Sequence, residues 1–264
     1  MNKTGEEPIL SLPERHNRIL ALLQQFGSIS VAQLAERFKV SEVTIRKDLS
    51  YLEQQKKLYR THGSAILISP YISDRHVNEK EKRNVAEKRA IGAFAASLIA
   101  QDDSIIIASG TTVTFLAREI NPAGHLTAIT ASVPVTQILS QCPDVDVIQL
   151  GGITRSSSVS VVGPFAEQML RSFNCSKLFI GVDGIDTEFG LTTTNMLEAS
   201  LNGAMIDAAQ KVIVLADSSK FGRRGFSKIC DLESVDRIIT DSGVQSVYLD
   251  RLRERGIEVK VVDV

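Results

Sequence analysis

Apolar residues recur at helical spacing three times near the start of the chain and then give way to short, continuous apolar runs. That change of period predicts a small helical unit followed by a larger α/β unit. Ile19, Leu20, Leu22, Leu23 and Phe26 mark a first amphipathic helix, and Val31, Leu34, Ala35 and Phe38 mark a short second one. Lys39-Val40 supplies a tight turn, after which Ser41 stands where a helix N-cap belongs. The next helix buries Ile45, Leu49 and Leu52 as one stripe. At about 100° per residue, Val43, Arg46, Lys47 and Ser50 then face outward, with Thr44 at the flank. The pattern over residues 29–48 is a helix-turn-helix. Two β-like stretches follow, Lys57–Arg60 and Ala65–Ile68, joined through His62-Gly63-Ser64. They read as the hairpin wing of a winged helix, with Arg60 and His62 near its tip.

From Asp103 onward short β-rich runs alternate with helical stretches. The runs are Ser104–Ala108, Leu126–Thr130, Val145–Leu150, Lys177–Val182, Val212–Ala216, Val235–Thr240 and Ile257–Val262. Continuous apolar runs separated by helices predict a mainly parallel sheet covered on both faces. The expected organisation is a leader at residues 1–11, a winged helix-turn-helix at 12–68 and a charged linker at 69–88. The α/β unit at 89–264 opens on a helix through Ala90, Ile91, Phe94, Ala95 and Leu98.

Charge sharpens the picture. Residues 11–66 hold nine Lys and Arg against five Asp and Glu, a net of +4, which leaves −5 for the rest of a chain whose total is −1. Positive charge is therefore concentrated where a polyanion would bind. Two cations, a hydroxyl and a small apolar side chain on one helix face suit phosphates, base edges and thymine methyls. The candidate DNA-binding set is Ser41, Val43, Thr44, Arg46, Lys47, Ser50, Arg60 and His62. One recognition helix reads too few base pairs to find a site in a genome, so a homodimer or homotetramer is expected on double-stranded operator DNA.

In an open α/β sheet ligands bind beyond the carboxyl ends of the strands, and five of these ends are polar. Ser109-Gly110-Thr111-Thr112 leads into a helix and offers hydroxyls and free N–H groups, a natural phosphate cradle. Gly151-Gly152 permits close backbone approach, and Arg155 could pair with an anion. Asp183 and Asp186 suit sugar hydroxyls, and Lys220 suits a phosphate or an aspartate. Ala131-Ser132 ends a further run without a comparably specific group. Phosphate donors at one end and carboxylates at the other predict a small phosphorylated sugar or polyol as ligand.

Other classes are disfavoured. Cys142, Cys175 and Cys230 are isolated and odd in number, which argues against a disulfide framework or a zinc site and for a reducing compartment. The opening MNKTGEEPILSLPE lacks the charged-then-apolar pattern of a signal sequence, and no apolar run approaches membrane-spanning length. A cytoplasmic protein with no cofactor, no metal and no membrane partner is expected. No GxGxxG follows the first strand, so a dinucleotide site has no support.

SEVTIRKDLSYLEQQKKLYRTHGSA resembles the N-terminal signature of the DeoR family of bacterial transcriptional regulators. The usual form has paired arginines and a double glycine, where this chain has Arg46-Lys47 and Gly63-Ser64. Lysine keeps the charge but loses a bidentate fork. KLFIGVDGIDTEFGLTTTN and VIVLADSSKFGRR are similar to the family's C-terminal sensor domain. The resemblance implies a repressor of a carbohydrate-utilisation operon controlled by a phosphorylated sugar, on a sensor like the sugar-phosphate isomerase fold. It carries Ser109, Gly110, Thr111, Thr112, Gly151, Gly152, Asp183, Asp186, Glu198 and Lys220 to effector binding. Thr130-Ala131-Ser132 departs from the Thr-Asn common in that loop.

The alternative is an isomerase-like enzyme carrying a DNA-binding domain. Isomerisation needs a placed base and an electrophile, and the likeness would put a lysine soon after the paired aspartates. Leu191-Thr192-Thr193-Thr194-Asn195 stands there, and no lysine occurs between Lys177 and Lys211. The expectation is a binding pocket without catalysis.

Overall fold

The helical periodicity near the start of the chain becomes three helices and three short strands: α1 (Leu12–Phe26), β1 (Ser28–Ser30), α2 (Val31–Phe38), α3 (Glu42–Gln54), β2 (Leu58–Thr61) and β3 (Ser64–Leu67). A computed structural model of the protein describes residues 11–26, 28–55, 57–61, 64–67 and 76–264. Most of the expected leader, residues 69–75 of the expected linker and His62-Gly63 lie outside them. Two units are distinct, Met1–Pro70 and Tyr71–Val264.

In the first unit α2 opens on a reciprocal cap, in which Ser30 accepts from the Gln33 N–H and the Gln33 side chain accepts from the Ser30 N–H. Lys39 ends α2 in the left-handed conformation (φ 54°), which makes the tight turn into α3. Ile19, Leu23, Leu34, Ile45, Leu49 and Leu58 form a shared core. β3 pairs antiparallel with both β2 and β1, so the wing is closed by a strand preceding α2 that apolar periodicity does not reveal.

The second unit begins with α4 (Val77–Glu81) and α5 (Val85–Ala96), followed by β4 (Ser104–Ile107), α6 (Thr111–Glu119), β5 (Leu126–Thr130), α7 (Val133–Leu139), β6 (Val145–Gln149), β7 (Ile153–Arg155), β8 (Ser160–Val162), α8 (Pro164–Leu170), β9 (Lys177–Gly181), β10 (Gly184–Asp186), β11 (Gly190–Thr193), α9 (Met196–Asp207), β12 (Val212–Leu215), β13 (Ser227–Cys230), β14 (Arg237–Asp241), α10 (Ser246–Glu254) and β15 (Glu258–Val262). All seven predicted runs enter one parallel sheet of order β15-β14-β12-β9-β4-β5-β6.

Successive residues of its strands point to opposite faces and enter two cores. Ile106, Ile129, Leu178, Ile180 and Val214 pack with Ala166, Leu170, Leu201, Met205 and Leu252 on the α8, α9 and α10 side. Ile105, Ile107, Phe179, Ile213 and Ile239 pack with Ile91, Ala95, Leu116 and Val135 on the α5, α6 and α7 side. A side chain at Gly92 would place its Cβ 2.7 Å from the Leu116 backbone nitrogen, so glycine sets the approach of α5 to α6. Two small antiparallel sheets, β7-β8 and β10-β11-β13, were not legible as alternating patterns.

The charged stretch at 69–88, expected as a linker, is helical at 77–81 and from 85 onward. Polar tertiary bonds rather than an apolar stripe hold it. The Val77 N–H donates to the Ser157 carbonyl at 2.7 Å, Arg118 pairs with Glu81 at 2.6 Å, and Asn84 Nδ2 donates to Asp217 Oδ1 at 2.9 Å. Lys88, only 3% exposed, reaches back from α5 to the carbonyls of Lys80 and Arg83, adding a donor where α4 ends.

Two predictions follow from these buried charges. Asp48, on the inner side of α3 and 3% exposed, accepts from Arg15 at 2.6 and 3.0 Å, and His16 Nε2 lies 3.1 Å away. Asp48→Ala strands the Arg15 guanidinium in the core, an expected loss of roughly 3–5 kcal/mol. Hydrogen exchange should show protection lost over 12–61 while the large sheet keeps it; full protection at both would reject this role for Asp48. Burial pushes the Lys88 ammonium down to about 8, with Asp217 opposing and Lys220 reinforcing the shift. Folded below unfolded pKa means that the burial penalty is present below about pH 8 and relieved between there and the ordinary value of 10.5. The stability of the native chain relative to Lys88→Met should therefore rise across that window, by at most about 1.4 kcal/mol per pH unit. Urea unfolding of both proteins at either end of the window measures this, and a pH-independent difference would contradict it.

Candidate functional site

The outer face of α3 is built as its periodicity requires. Ser41 caps the helix, accepting from the Thr44 N–H at 3.2 Å, and its hydroxyl lies 2.9 Å from that of Thr44. Val43, Arg46, Lys47, Ser50, Tyr51 and Gln54 line one shallow surface, on which Val43 is 62% exposed. Arg46 is held by Glu42 at 2.8 Å, one turn earlier. Arg60 of the wing hydrogen-bonds the Ser50 hydroxyl, and its backbone N–H donates to Glu53 Oε1 at 3.0 Å. Five of the predicted residues, Val43, Arg46, Lys47, Ser50 and Arg60, are thus gathered at one surface, while Ser41 and Thr44 are engaged at the cap and His62 lies outside the described residues. Tyr51, whose ring stacks on His16 at 5.1 Å, and Gln54 join this surface without having been anticipated.

In the second unit the chain leaves β4 toward β5 and β6, then returns to place β9 on β4's other side. Loops after β4 and β9 therefore diverge, and the crevice between them is the topological switch point at which open α/β sheets bind ligands. A pocket lies there, lined by Val77, Lys80, Ser109, Gly110, Thr111, Thr112, Ser157, Ser158, Gly181, Val182, Asp183, Thr193, Glu198, Asn202 and Lys220. Gly110 (φ 132°) turns the chain into α6, and no side chain caps that helix. Its first N–H groups, which lack acceptors within the helix, open toward the pocket at the positive end of the helix dipole. The electrostatics of that end favour an anion.

Opposite the cradle stands Asp183. Lys80 Nζ donates to its Oδ1 at 2.9 Å, Thr193 Oγ1 to its Oδ2 at 3.1 Å, and Lys220 Nζ is 3.9 Å away. Burial alone would raise the Asp183 carboxyl, but the charges of Lys80 and Lys220 and the hydrogen bonds from Lys80 and Thr193 together hold it below the ordinary carboxylate value. It is an ionised acceptor near neutral pH. Glu198, in the first turn of α9, accepts from Thr193 Oγ1 at 3.3 Å and pairs with Arg155 at 2.9 Å.

Ser109, Gly110, Thr111, Thr112, Asp183, Glu198 and Lys220 are therefore brought together, and four other candidates are not among the lining residues. Arg155 is set behind the lining residues, paired with Glu198 and donating to the Ser157 hydroxyl at 2.8 Å. Gly151 donates its N–H to Met169 Sδ, and Gly152 lies so close to the Val162 carbonyl that a Cβ would stand 2.6 Å from it. Asp186 accepts from Arg224 at 2.7 and 3.0 Å and from the N–H groups of Glu188 and Phe189. Burial would raise its carboxyl; these donors hold it low. Its task is to fix the β10–β11 turn. Lys80, Thr193 and Asn202 join the pocket without a sequence signal, because nothing in a charged run or a strand end distinguishes them. Among the described residues no cluster of His, Cys, Asp or Glu could hold a metal ion, and no helix is long and apolar enough to cross a membrane.

Residues 15–71 match the DeoR-like helix-turn-helix domain and residues 83–242 the DeoR C terminal sensor domain. The chain is 38% identical to the uncharacterized HTH-type transcriptional regulator YulB of Bacillus subtilis (strain 168), over 94% of this chain and 96% of the relative. It is 37% identical to the putative aga operon transcriptional repressor of Escherichia coli O157:H7, over 98% and 97%. With the lactose phosphotransferase system repressor of Streptococcus mutans serotype c it shares 36% identity over 86% and 91%. Among solved structures, ribose 5 phosphate isomerase A from Neisseria gonorrhoeae aligns with 17% identity over 52% of this chain and 53% of its own, at a TM-score of 0.36. A helix-turn-helix with an exposed basic face, an α/β unit with a pocket at its switch point, and family matches to both units lead to one conclusion: the chain belongs to the DeoR family of transcriptional regulators.

Proposed function

We propose that the chain represses a carbohydrate-utilisation operon, binding operator DNA through α3 and the wing and responding to a phosphorylated sugar in the switch-point pocket. The observation that carries this reading is the pairing, in one pocket, of an uncapped helix N-terminus with two lysines around one ionised aspartate. The phosphoryl group would sit against Ser109–Thr112 and the lysines, and the sugar hydroxyls would donate to Asp183. The similarity to the putative aga operon repressor and to the lactose phosphotransferase system repressor supports the carbohydrate assignment. Residues 12–68 are the DNA-binding part of this reading, 89–264 the body of the sensor, and the working form is a homodimer or homotetramer.

The pocket binds without turning its ligand over. A carboxylate held below its ordinary pKa is a weak base near neutrality, whereas proton abstraction favours a base tuned near the working pH. The lysines beside it serve to hold that charge.

DNA bound by the native chain can be selected from a random pool and then used to titrate variants. Arg46→Ala and Lys47→Ala should each weaken binding without lowering the melting temperature. Where one side chain reads a guanine, the loss should be roughly 1–3 kcal/mol with relaxed preference at that base. Undiminished affinity in the double variant would remove both from the interface.

A thermal-shift screen of phosphorylated sugars identifies the effector by the stabilisation that binding confers. Asp183→Asn, Lys220→Ala and Thr111→Ala should keep DNA affinity while raising the effector concentration needed roughly ten- to a hundredfold, as expected for loss of one charge-assisted hydrogen bond. Native responses in all three would place the pocket on the wrong loops, and isomer formed by the native chain but not by Asp183→Asn would overturn the non-catalytic reading.

A further inference from the structure

Within the second unit, α4 lies across the mouth of the pocket as a strap. Val77 and Lys80 are lining residues, and the strap's seating bonds run to three separate places: the Val77 N–H to Ser157, Lys80 to Asp183, and Glu81 to Arg118. Lys88 ties down its far end through the carbonyls of Lys80 and Arg83. Of these bonds only the one from Lys80 reaches a group inside the pocket that a ligand would need. Asp183 Oδ1 is occupied by that ammonium at 2.9 Å.

Space points the same way as charge. The cavity under the strap is about 60 Å³, whereas small-molecule pockets are roughly 300–1,000 Å³. A cavity of that size is too small for a sugar phosphate while Lys80, one of its lining residues, stays on Asp183. A ligand must therefore move the Lys80 side chain, and a phosphoryl dianion in the Ser109–Thr112 cradle supplies a stronger counter-charge than the single carboxylate that holds it now.

We propose that Lys80 is a ligand of the bound phosphoryl group, exchanging Asp183 for it when the pocket fills, so that the strap α4 reports occupancy of the pocket. The inference rests on the phosphate-cradle reading above and adds a residue to it. Its consequence follows from chain order: α4, which carries Lys80, is the first described element after the helix-turn-helix unit. A ligand can shift a conformational equilibrium only through contacts that differ between the two states. The exchange of Asp183 for phosphate at Lys80 is such a difference.

The test uses the full chain and inorganic phosphate, with sodium chloride at matched ionic strength as control. Thermal shift gives the phosphate dependence, and hydrogen exchange reads the amides of residues 77–83. Lys80→Met should need about tenfold more phosphate than the native chain, and Lys80→Arg should recover most of that loss. Phosphate should change exchange across 77–83 in the native chain and leave it unchanged in Lys80→Met. Glu81→Gln separates contact from seating, because it loosens the strap at Arg118 while keeping the ammonium; it should stay within about twofold of native phosphate dependence. Native phosphate dependence in Lys80→Met overturns the inference, as does an equal loss in Glu81→Gln. Thr111→Ala distinguishes the two levels: if it weakens phosphate binding while Lys80→Met does not, the cradle stands and the role of Lys80 falls. Absence of any phosphate effect on the native chain removes both.

Discussion

The reversal of strand order between β4 and β9 is the constraint on which the second unit's chemistry depends. Parallel strands require crossovers, and crossovers in a parallel sheet share one hand. A sheet that grows first toward β6 and then toward β15 must therefore send its helices to opposite faces. α5, α6 and α7 cover one face and α8, α9 and α10 the other, each with its own core. At the point of reversal no crossover fills the space between adjacent strand ends, and a crevice persists however well the cores are packed. Ser109–Thr112 and Gly181–Asp183 meet there because β4 and β9 are neighbours.

What the crevice can do is then set by charge. Asp183 is buried among groups that individually would be costly to bury, and each is tolerable only because the others are present. Two lysines from distant parts of the chain converge on this carboxylate, one from α4 and one from the 3₁₀ turn at Ser218–Lys220. Asp217, which caps that turn, also receives the Asn84 side chain between α4 and α5. The pocket thus sets two ammonium groups around one carboxylate. On the proposal above, a phosphate entering it would redistribute these pairs, and the pair from Lys80 also holds α4 in place.

The large sheet and the recognition helix were legible in the sequence because both rest on hydrophobic periodicity. Val212–Ala216 is apolar throughout and becomes β12, buried at every position, and the stripe Ile45, Leu49, Leu52 correctly turned Arg46 and Lys47 outward. Periodicity fails where polar groups do the holding. Asp48 sits on the buried side of α3 as a partner for Arg15 and His16, a position that a pattern of apolar residues cannot assign to a carboxylate. α4 has five residues and one buried apolar side chain, so its helix exists through ion pairs with residues far along the chain. Asp183 and Asp186 are three residues apart with the same side chain, yet one faces the pocket and the other is fixed by Arg224. Their difference arises from which residues the fold brings opposite, and spacing alone carries no record of that.

A regulator built this way meets opposing demands in its two units. The helix-turn-helix needs a rigid face, and it obtains one from a closed core, a cap at each end of its turn, and a buried Asp48 that locks α1 to α3. On the proposal above, the part of the sensor that moves is α4, which buries one apolar side chain and is held mainly by polar bonds. Apolar packing changes little when a small anion arrives, whereas an ammonium shared with a carboxylate responds directly. Coupling between ligand and DNA is reciprocal as a matter of linkage: were phosphate to shift α4 as proposed, the same free energy would reappear as a change in phosphate affinity when DNA selects one arrangement. A strap seated by charge pairs would keep that exchange within the few kcal/mol that a metabolite can supply, which a helix welded into either core of the sheet would not allow.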